Sequence, residues 1–474
     1  MVNMQALNQA IEARRQRLID DLTALAAIPS VKNAPSPGAP FGAENARCLQ
    51  AALNMATRDG LTARDFDGYA GDATTPEGGD EVLGILCHLD VVPTGDDALW
   101  STPPFTPTIK DGVMYGRGVS DDKGPTVAAM IALDTVRASG LTFKRKVRLI
   151  FGSDEESGWG CMDYYLPRAG MPTLGFAPDA AFPLIFAEKG VLRVKVTGAW
   201  HQPELLSLTG GERANVVPDS ATARIGGAAA GQALMGAWQY KGARGGAVMA
   251  QEDGPDAVSV QARGIGSHAA MPDGGDNAAS TLCGYLAPLL PGASQALSLL
   301  AAVGTWPSDG SGLGIACKDE PSGPLTCNLG VLRADANGFE ATLDIRYPVT
   351  CPRADILKGV CDGFAPISAR CEELGGYEAL HIAKDSPLVQ TLLGAYCDVT
   401  GISHEQAQPL AMGGATYARA MPNCVAYGAQ FPHDFAPDAV KGGAHQADEA
   451  MAIDGLMKAA QVYALAIARL ACED

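Results

Sequence analysis

Three short apolar segments of this chain run straight into residues that can hold a metal ion, and that recurrence limits the fold more than any other feature. Glu81 to Cys87 (EVLGILC) ends at His88, with Asp90 just beyond it. Lys146 to Phe151 (KVRLIF) leads into Gly152-Ser153-Asp154-Glu155-Glu156, and Thr173 to Ala177 leads into Pro178-Asp179. Their length and content predict buried strands. In an open α/β sheet, ligands collect in the crevice beyond the carboxyl ends of the strands, where residues distant in sequence meet. Asp121 lies in a glycine-rich loop, GRGVSDDKGP, just before a helix predicted over Val127 to Arg137. Pro125 falls near the first turn of that helix, where its missing N–H costs nothing. Four separate regions can therefore converge on one site.

A chain of 474 residues is too long for one compact core, so two domains, or one with a large insertion, are expected. The N-terminus reads as an amphipathic helix ending near Pro29, with charges too early for a signal peptide. From Val191 the texture changes: VLRVKVTG alternates like a half-exposed strand, and Leu325 to Tyr347 predicts a hairpin turning at Asn337-Gly338. Near Asp385 the pattern returns to helix (SPLVQTLLGAYCDVTG), then a short strand (NCVAYGA) and a closing helix from about Asp448. The reading is an α/β domain built from both chain ends, residues 1–190 plus 385–474, carrying an inserted α+β domain, residues 191–384.

The formal net charge of -18 opposes binding to nucleic acid or to anionic membrane surfaces. No stretch approaches the roughly 20 apolar residues needed to cross a bilayer. The twelve cysteines are scattered, with no C-x-x-C pair, which predicts reduced thiols and a cytoplasmic protein.

Imidazole together with several carboxylates suits Zn²⁺, Mn²⁺ or Co²⁺, and the lack of paired thiolates argues against a structural zinc site. Two divalent ions need a shared anionic ligand, because a carboxylate offers two oxygens and screens their repulsion. A carboxylate two residues after a histidine is the expected orienter of that imidazole. Adjacent Glu155 and Glu156 permit one to bind metal and the other to handle protons, which hydrolysis requires. Asp121-Asp122 alone would be read as a helix N-cap, and Asp122 fits that role.

The segments HLDVVPTGD at 88–96, GRGVSDDKGP at 116–125, SDEESGW at 153–159, FAPDAAFP at 176–183 and GAHQADE at 443–449 resemble the M20 family of metallopeptidases. The phrases YGRGVSDDKGP, FAPDAAFPL and GERANVVPD, with the long insertion, are most similar to its PepV-type dipeptidases. The resemblance implies a zinc-peptidase-like catalytic domain, a mixed sheet flanked by helices, with an inserted α+β lid domain. It implies two divalent metal ions, most often zinc. His88, bridging Asp121 and Asp179 would hold one ion, and Asp121, Glu156 and His445 the other. Glu155 would be the general acid/base and Asp90 would orient His88. His268, in GIGSHAAMPDGGDNA, would stabilise the oxyanion, and Asn215, Arg346 and Arg419 would bind substrate. For the late histidine, His433 in FPHDF is the alternative to His445. A cis peptide between Asp121 and Asp122 is also implied.

The function expected from this resemblance is hydrolysis of unblocked dipeptides, a small peptide substrate, by a metal-activated water. Many members of the family dimerise through the second domain, but the insertion from about Val191 to Lys384 is long enough to stand in for that partner, which predicts a monomer. The same chemistry would serve an N-acyl amino acid amidohydrolase. A catalytically silent binding protein is a third reading, but it would have no need of a proton-transfer group such as Glu155.

Overall fold

The computed structural model describes residues 3–242, 244–432 and 442–473. The chain divides into two compact units. Met1–Phe186, Ile382–Leu410 and Thr416–Asp474 form the first; Ala187–His381 and Ala411–Ala415 form the second. The divisions thus fall a few residues before 190/191 and 384/385, and a short piece of GGATYAR joins the inserted unit.

The sheet of the first unit runs, in spatial order, Thr62–Phe66, Ala70–Thr74, Lys146–Gly152, Val82–His88, Leu174–Ala177 and Cys424–Ala426. The outer two pairings are antiparallel and the next three parallel, giving a mixed sheet. Val82–His88 lies between parallel neighbours and is buried beyond its first residue. A near-continuous apolar run is what a strand covered on both faces requires. Its register sets the site: His88 pairs with Gly152, and Ile85 with Phe176. Three parallel strands therefore deliver His88, the loop holding Glu155 and the loop holding Asp179 to the same sheet edge.

Helix Lys123–Ala138 packs on the His88 strand and on the closing helix, Ile453–Ala471. Pro125 sits in its first turn as expected. Asp122 occupies the N-cap position but makes no side-chain cap bond. Its carboxylate accepts the backbone N–H of His88 at 3.1 Å instead.

Three local expectations need correction. The N-terminal segment forms two helices, Met4–Glu12 and Arg15–Ala26, and the break lets Arg14 and Arg17 both donate to Asp134. The hairpin pairs Asp335 with Gly338, so its turn is Ala336-Asn337, one residue early; the Asp335 carboxylate accepts the Asn337 N–H and closes it. The last helix begins at Ile453, because Ala450–Ala452 is a strand paired with Val113–Tyr115.

The second unit is an eight-stranded antiparallel sheet in the order Ala247–Glu252, Ala257–Arg263, Ser220–Gly226, Leu205–Gly210, Thr326–Asp335, Gly338–Tyr347, Gly190–Ala199 and Arg370–Tyr377. Its core joins strand residues such as Leu192, Val260 and Leu343 to Leu282 and Leu297 on helices Ala278–Leu286 and Ser294–Val303. An α/β unit carrying an α+β insertion is the fold class the sequence predicts.

Candidate metal centre

Seven of the predicted residues meet at the carboxyl edge of the first unit's sheet. Asp121 is the hub. Its Oδ1 lies 2.9 Å from His88 Nε2, and its Oδ2 lies 3.1 Å from His445 Nε2. Asp179 Oδ2 is 3.8 Å from His88 Nε2, and Glu156 Oε1 is 3.0 Å from His445 Nε2. His88, Asp121 and Glu156 each offer a ligand atom within 4.8 Å of the others. The peptide between Asp121 and Asp122 is cis. Nitrogen and carboxylate oxygen converging on one point form a donor set that fits a divalent cation.

His88 and Glu156 are held from behind. His88 Nδ1 donates to the Asp90 main-chain oxygen at 3.0 Å, which directs the Nε2 lone pair at the cluster. The Asp90 carboxylate stands 3.7 Å from that ring nitrogen. It is occupied elsewhere, accepting the N–H groups of Glu155 at 3.0 Å and Glu156 at 3.1 Å. Asp90 thus fixes His88 through its backbone and the two glutamates through its side chain. The adjoining Asp154 accepts from Lys32, Ser157 and the Gly160 N–H, closing the same turn.

Crowded carboxylates in a buried place resist ionisation. Burial raises the pKa of Glu155 well above the carboxylate range; His88 opposes the rise, and the charges of Glu156, Asp90 and Asp121 add to it. Burial and the charge of Asp121 do the same to Asp179. Glu155 Oε1 is buried and has no hydrogen-bond partner among the described residues. Hydrogen bonds to Asp121 and Glu156 raise His445 to about 10. Burial lowers His88, but the surrounding carboxylates of Asp121, Asp90 and Asp179 together outweigh it, so His88 rises too. Both shifts express a demand for positive charge that a metal ion would also meet.

Glu449 is the residue that sequence reasoning passed over. Its Oε1 accepts three backbone N–H groups, from Gly118, Ser120 and Asp121, at 3.0, 3.0 and 3.2 Å. Its Oε2 takes Arg117 Nη1 at 2.6 Å, and both side chains are buried. One carboxylate therefore shapes the loop that presents Asp121. The available signal was a glutamate just before an apolar strand, in the motif that carries His445.

Of the remaining candidates, Asn215, His268 and Arg346 lie in the second unit and Arg419 in the first. In the second unit, the Ala270 N–H donates to His268 Nδ1 at 3.1 Å, so a neutral ring carries its proton on Nε2. Asn215 is His268's neighbour: the Ala269 N–H donates to the Asn215 oxygen, and Val216 bridges to His268. Arg346 is buried, with Nε and Nη2 on the Asp344 carboxylate at 2.6 and 3.2 Å and Nη1 on the Gly413 oxygen. Arg419 lies half-buried in the short turn Tyr417–Ala420 of the first unit. His433 lies outside the described residues.

The model of peptidase family M20/M25/M40 matches residues 84–469. The chain belongs to this family. It is 37% identical to "Putative dipeptidase YtjP" of Bacillus subtilis (strain 168), covering 98% of this chain and all of that one. It is 33% identical to "Putative dipeptidase SAUSA300_1697" of Staphylococcus aureus (strain USA300), covering 98% and 99%. Among solved structures it resembles human carnosine dipeptidase 1, at a TM-score of 0.56 and 14% identity over 99% of this chain and 100% of that one. It also resembles the dipeptidase Dug1p of Saccharomyces cerevisiae, at a TM-score of 0.57 and 14% identity over 98% of each. Likeness at that identity speaks for the fold. As an M20 peptidase the chain is an enzyme that uses divalent metal, and its family acts on small peptides. Among the described residues, no helix is long and apolar enough to cross a membrane.

Proposed function

We propose that this M20 peptidase is a dipeptidase that cleaves unblocked dipeptides, using two divalent ions, zinc in preference to manganese or cobalt. The observation that carries this reading is the placement of Asp121, whose two oxygens face His88 and His445 separately. A carboxylate so disposed suits a shared ligand between two ions. His88, Asp121 and Asp179 would hold one ion, and Asp121, Glu156 and His445 the other. Bound there, the ions would supply Lewis acidity toward the scissile carbonyl and make a water easier to deprotonate.

The chain's own groups do the rest. Glu155 takes the proton from the attacking water and returns it to the leaving amine; a buried carboxyl with a raised pKa is suited to both halves of that task. Its neighbour Glu156 holds metal, and Asp90 keeps the pair in register by taking both of their N–H groups. His268 donates Nε2–H to the carbonyl oxygen as it gains charge. Asn215, beside His268, binds the substrate backbone. Arg346, pre-aligned by Asp344, meets the terminal carboxylate, with Arg419 as a second cation for it. We read the enzyme as a cytoplasmic monomer, a reading that the twelve free cysteines support on the side of compartment.

The test is kcat/KM across free dipeptides, tripeptides, N-acetylated dipeptides and acetyl-amino acids with zinc or manganese supplied. Free dipeptides should be cleaved best, tripeptides less well and N-blocked compounds poorly, since an acetyl cap removes the ammonium group that an anionic site attracts. If acetyl-amino acids are the best substrates, the enzyme is a deacylase of the same family. Sedimentation at assay concentration tests the monomer, and activity confined to a dimer would exclude it.

A further inference from the structure

Eight of the twelve cysteines are buried and four are half-buried, Cys317, Cys351, Cys361 and Cys371, of which Cys317 and Cys351 face each other. Cys351 Sγ lies 2.9 Å from Cys317 Sγ. Both belong to the second unit, and Cys351 stands two residues before helix Arg353–Phe364.

The pair is held in register by a polar clamp. Asp319 Oδ1 accepts the Ser322 N–H and hydroxyl, both at 2.7 Å. Its Oδ2 accepts the Thr350 N–H at 2.9 Å and the Thr350 hydroxyl at 3.1 Å. Ser322 Oγ in turn accepts the Val349 N–H at 3.0 Å. The segment after Cys317 is thereby fastened to the segment before Cys351, so the sulfurs meet without a search through chain conformations. That both sulfurs are half-buried matters equally, since an oxidant must reach a thiol to use it.

We propose that Cys317–Cys351 is a reversible disulfide site, oxidised by hydrogen peroxide, that ties the start of helix Arg353–Phe364 to the segment around Cys317. The Cys351 thiolate attacks one peroxide oxygen. The O–O bond breaks, hydroxide leaves and takes up a proton, and Cys351 becomes a sulfenic acid. The Cys317 sulfur, losing its proton, then attacks the Cys351 sulfur; the S–O bond breaks and a second water leaves. Two thiols lose two electrons and two protons, and one peroxide becomes two waters. In a reducing compartment such a bond is transient, the usual form of an intracellular disulfide.

The experiment treats the full-length protein with hydrogen peroxide, alkylates remaining thiols under denaturing conditions and maps the peptides by mass. The expected product is one cross-linked peptide pair, Cys317 with Cys351, about 2 Da lighter than its reduced parts and released by dithiothreitol, with the other ten cysteines alkylated. The oxidised protein should melt several degrees above the reduced one, and the Cys317→Ser/Cys351→Ser variant should lose that difference. Recovery of Cys317 and Cys351 as free thiols, separate sulfinic acids or links to other cysteines overturns the proposal. Asp319→Ala should slow the cross-link; an unchanged rate would remove the clamp from the account.

Discussion

Glu449 accepts the backbone N–H of Asp121 at 3.2 Å on the same oxygen that takes the N–H groups of Gly118 and Ser120. The residue proposed to bridge two metals is thus aimed by a buried carboxylate contributed from the far end of the chain. Glu449→Gln keeps the shape but puts an amide where the loop and Arg117 require oxygens. Metal affinity should fall by roughly 10–100-fold, the usual result of disturbing the groups behind the ligands. Competition with a chromogenic chelator measures it, with circular dichroism to check the fold. Unchanged affinity would show that the loop holds Asp121 unaided.

Glu155→Gln preserves size and removes the proton acceptor. Turnover should drop by roughly 10²–10⁴-fold while two metals still bind. Metal content by atomic absorption, measured beside kcat, separates loss of the base from loss of the site. Near-normal turnover in a metal-replete variant would remove Glu155 from the mechanism.

His268→Ala should lower kcat by roughly 10²–10³-fold and leave metal affinity as it was, because a donor to developing charge acts on the transition state. A change confined to KM would make His268 a ground-state contact only.

The metal-free protein should lose stability as pH rises. His445 is raised from 6.5 to about 10, so its contribution is complete below the lower value and is lost as pH climbs through the upper one. Glu155 and Asp179 are also raised, and their ionisation above the ordinary carboxylate range opposes folding in the same direction. In this window the unfolded chain binds fewer protons than the folded one, so stability declines. Tm of the chelator-treated protein should fall between about pH 6.5 and about pH 10, and zinc should flatten that slope while releasing protons. A metal-free Tm that is level or rises over this range contradicts the assignment.

Much of the site was legible before any fold was known. Strand-forming runs that stop at His88, Glu155-Glu156 and Asp179 are local patterns, and a parallel sheet has one edge at which such endings can gather. The same periodicity exposed the inserted unit, since alternation at Val191 and the hairpin near Asn337 differ from the buried runs before them. The closing helix was misplaced by several residues because Ala450–Ala452 is too short to show a period before it pairs with Val113–Tyr115.

What sequence determined by itself was therefore the inventory: which residue types stand at which strand ends, and the order of elements that brings them round. Tertiary structure decided the division of labour. Asp90 was expected to steady His88 with its side chain; folding gives that task to its main-chain oxygen and spends the carboxylate on Glu155 and Glu156. Glu449 acquires a role only where its two oxygens meet backbone N–H groups and Arg117, contacts between segments more than 300 residues apart. Cys317 and Cys351, 34 residues apart in sequence, face each other for the same reason. Hydrophobic periodicity records which face of a segment is buried, whereas the partner of a buried polar group depends on distances that exist only after the segments have packed.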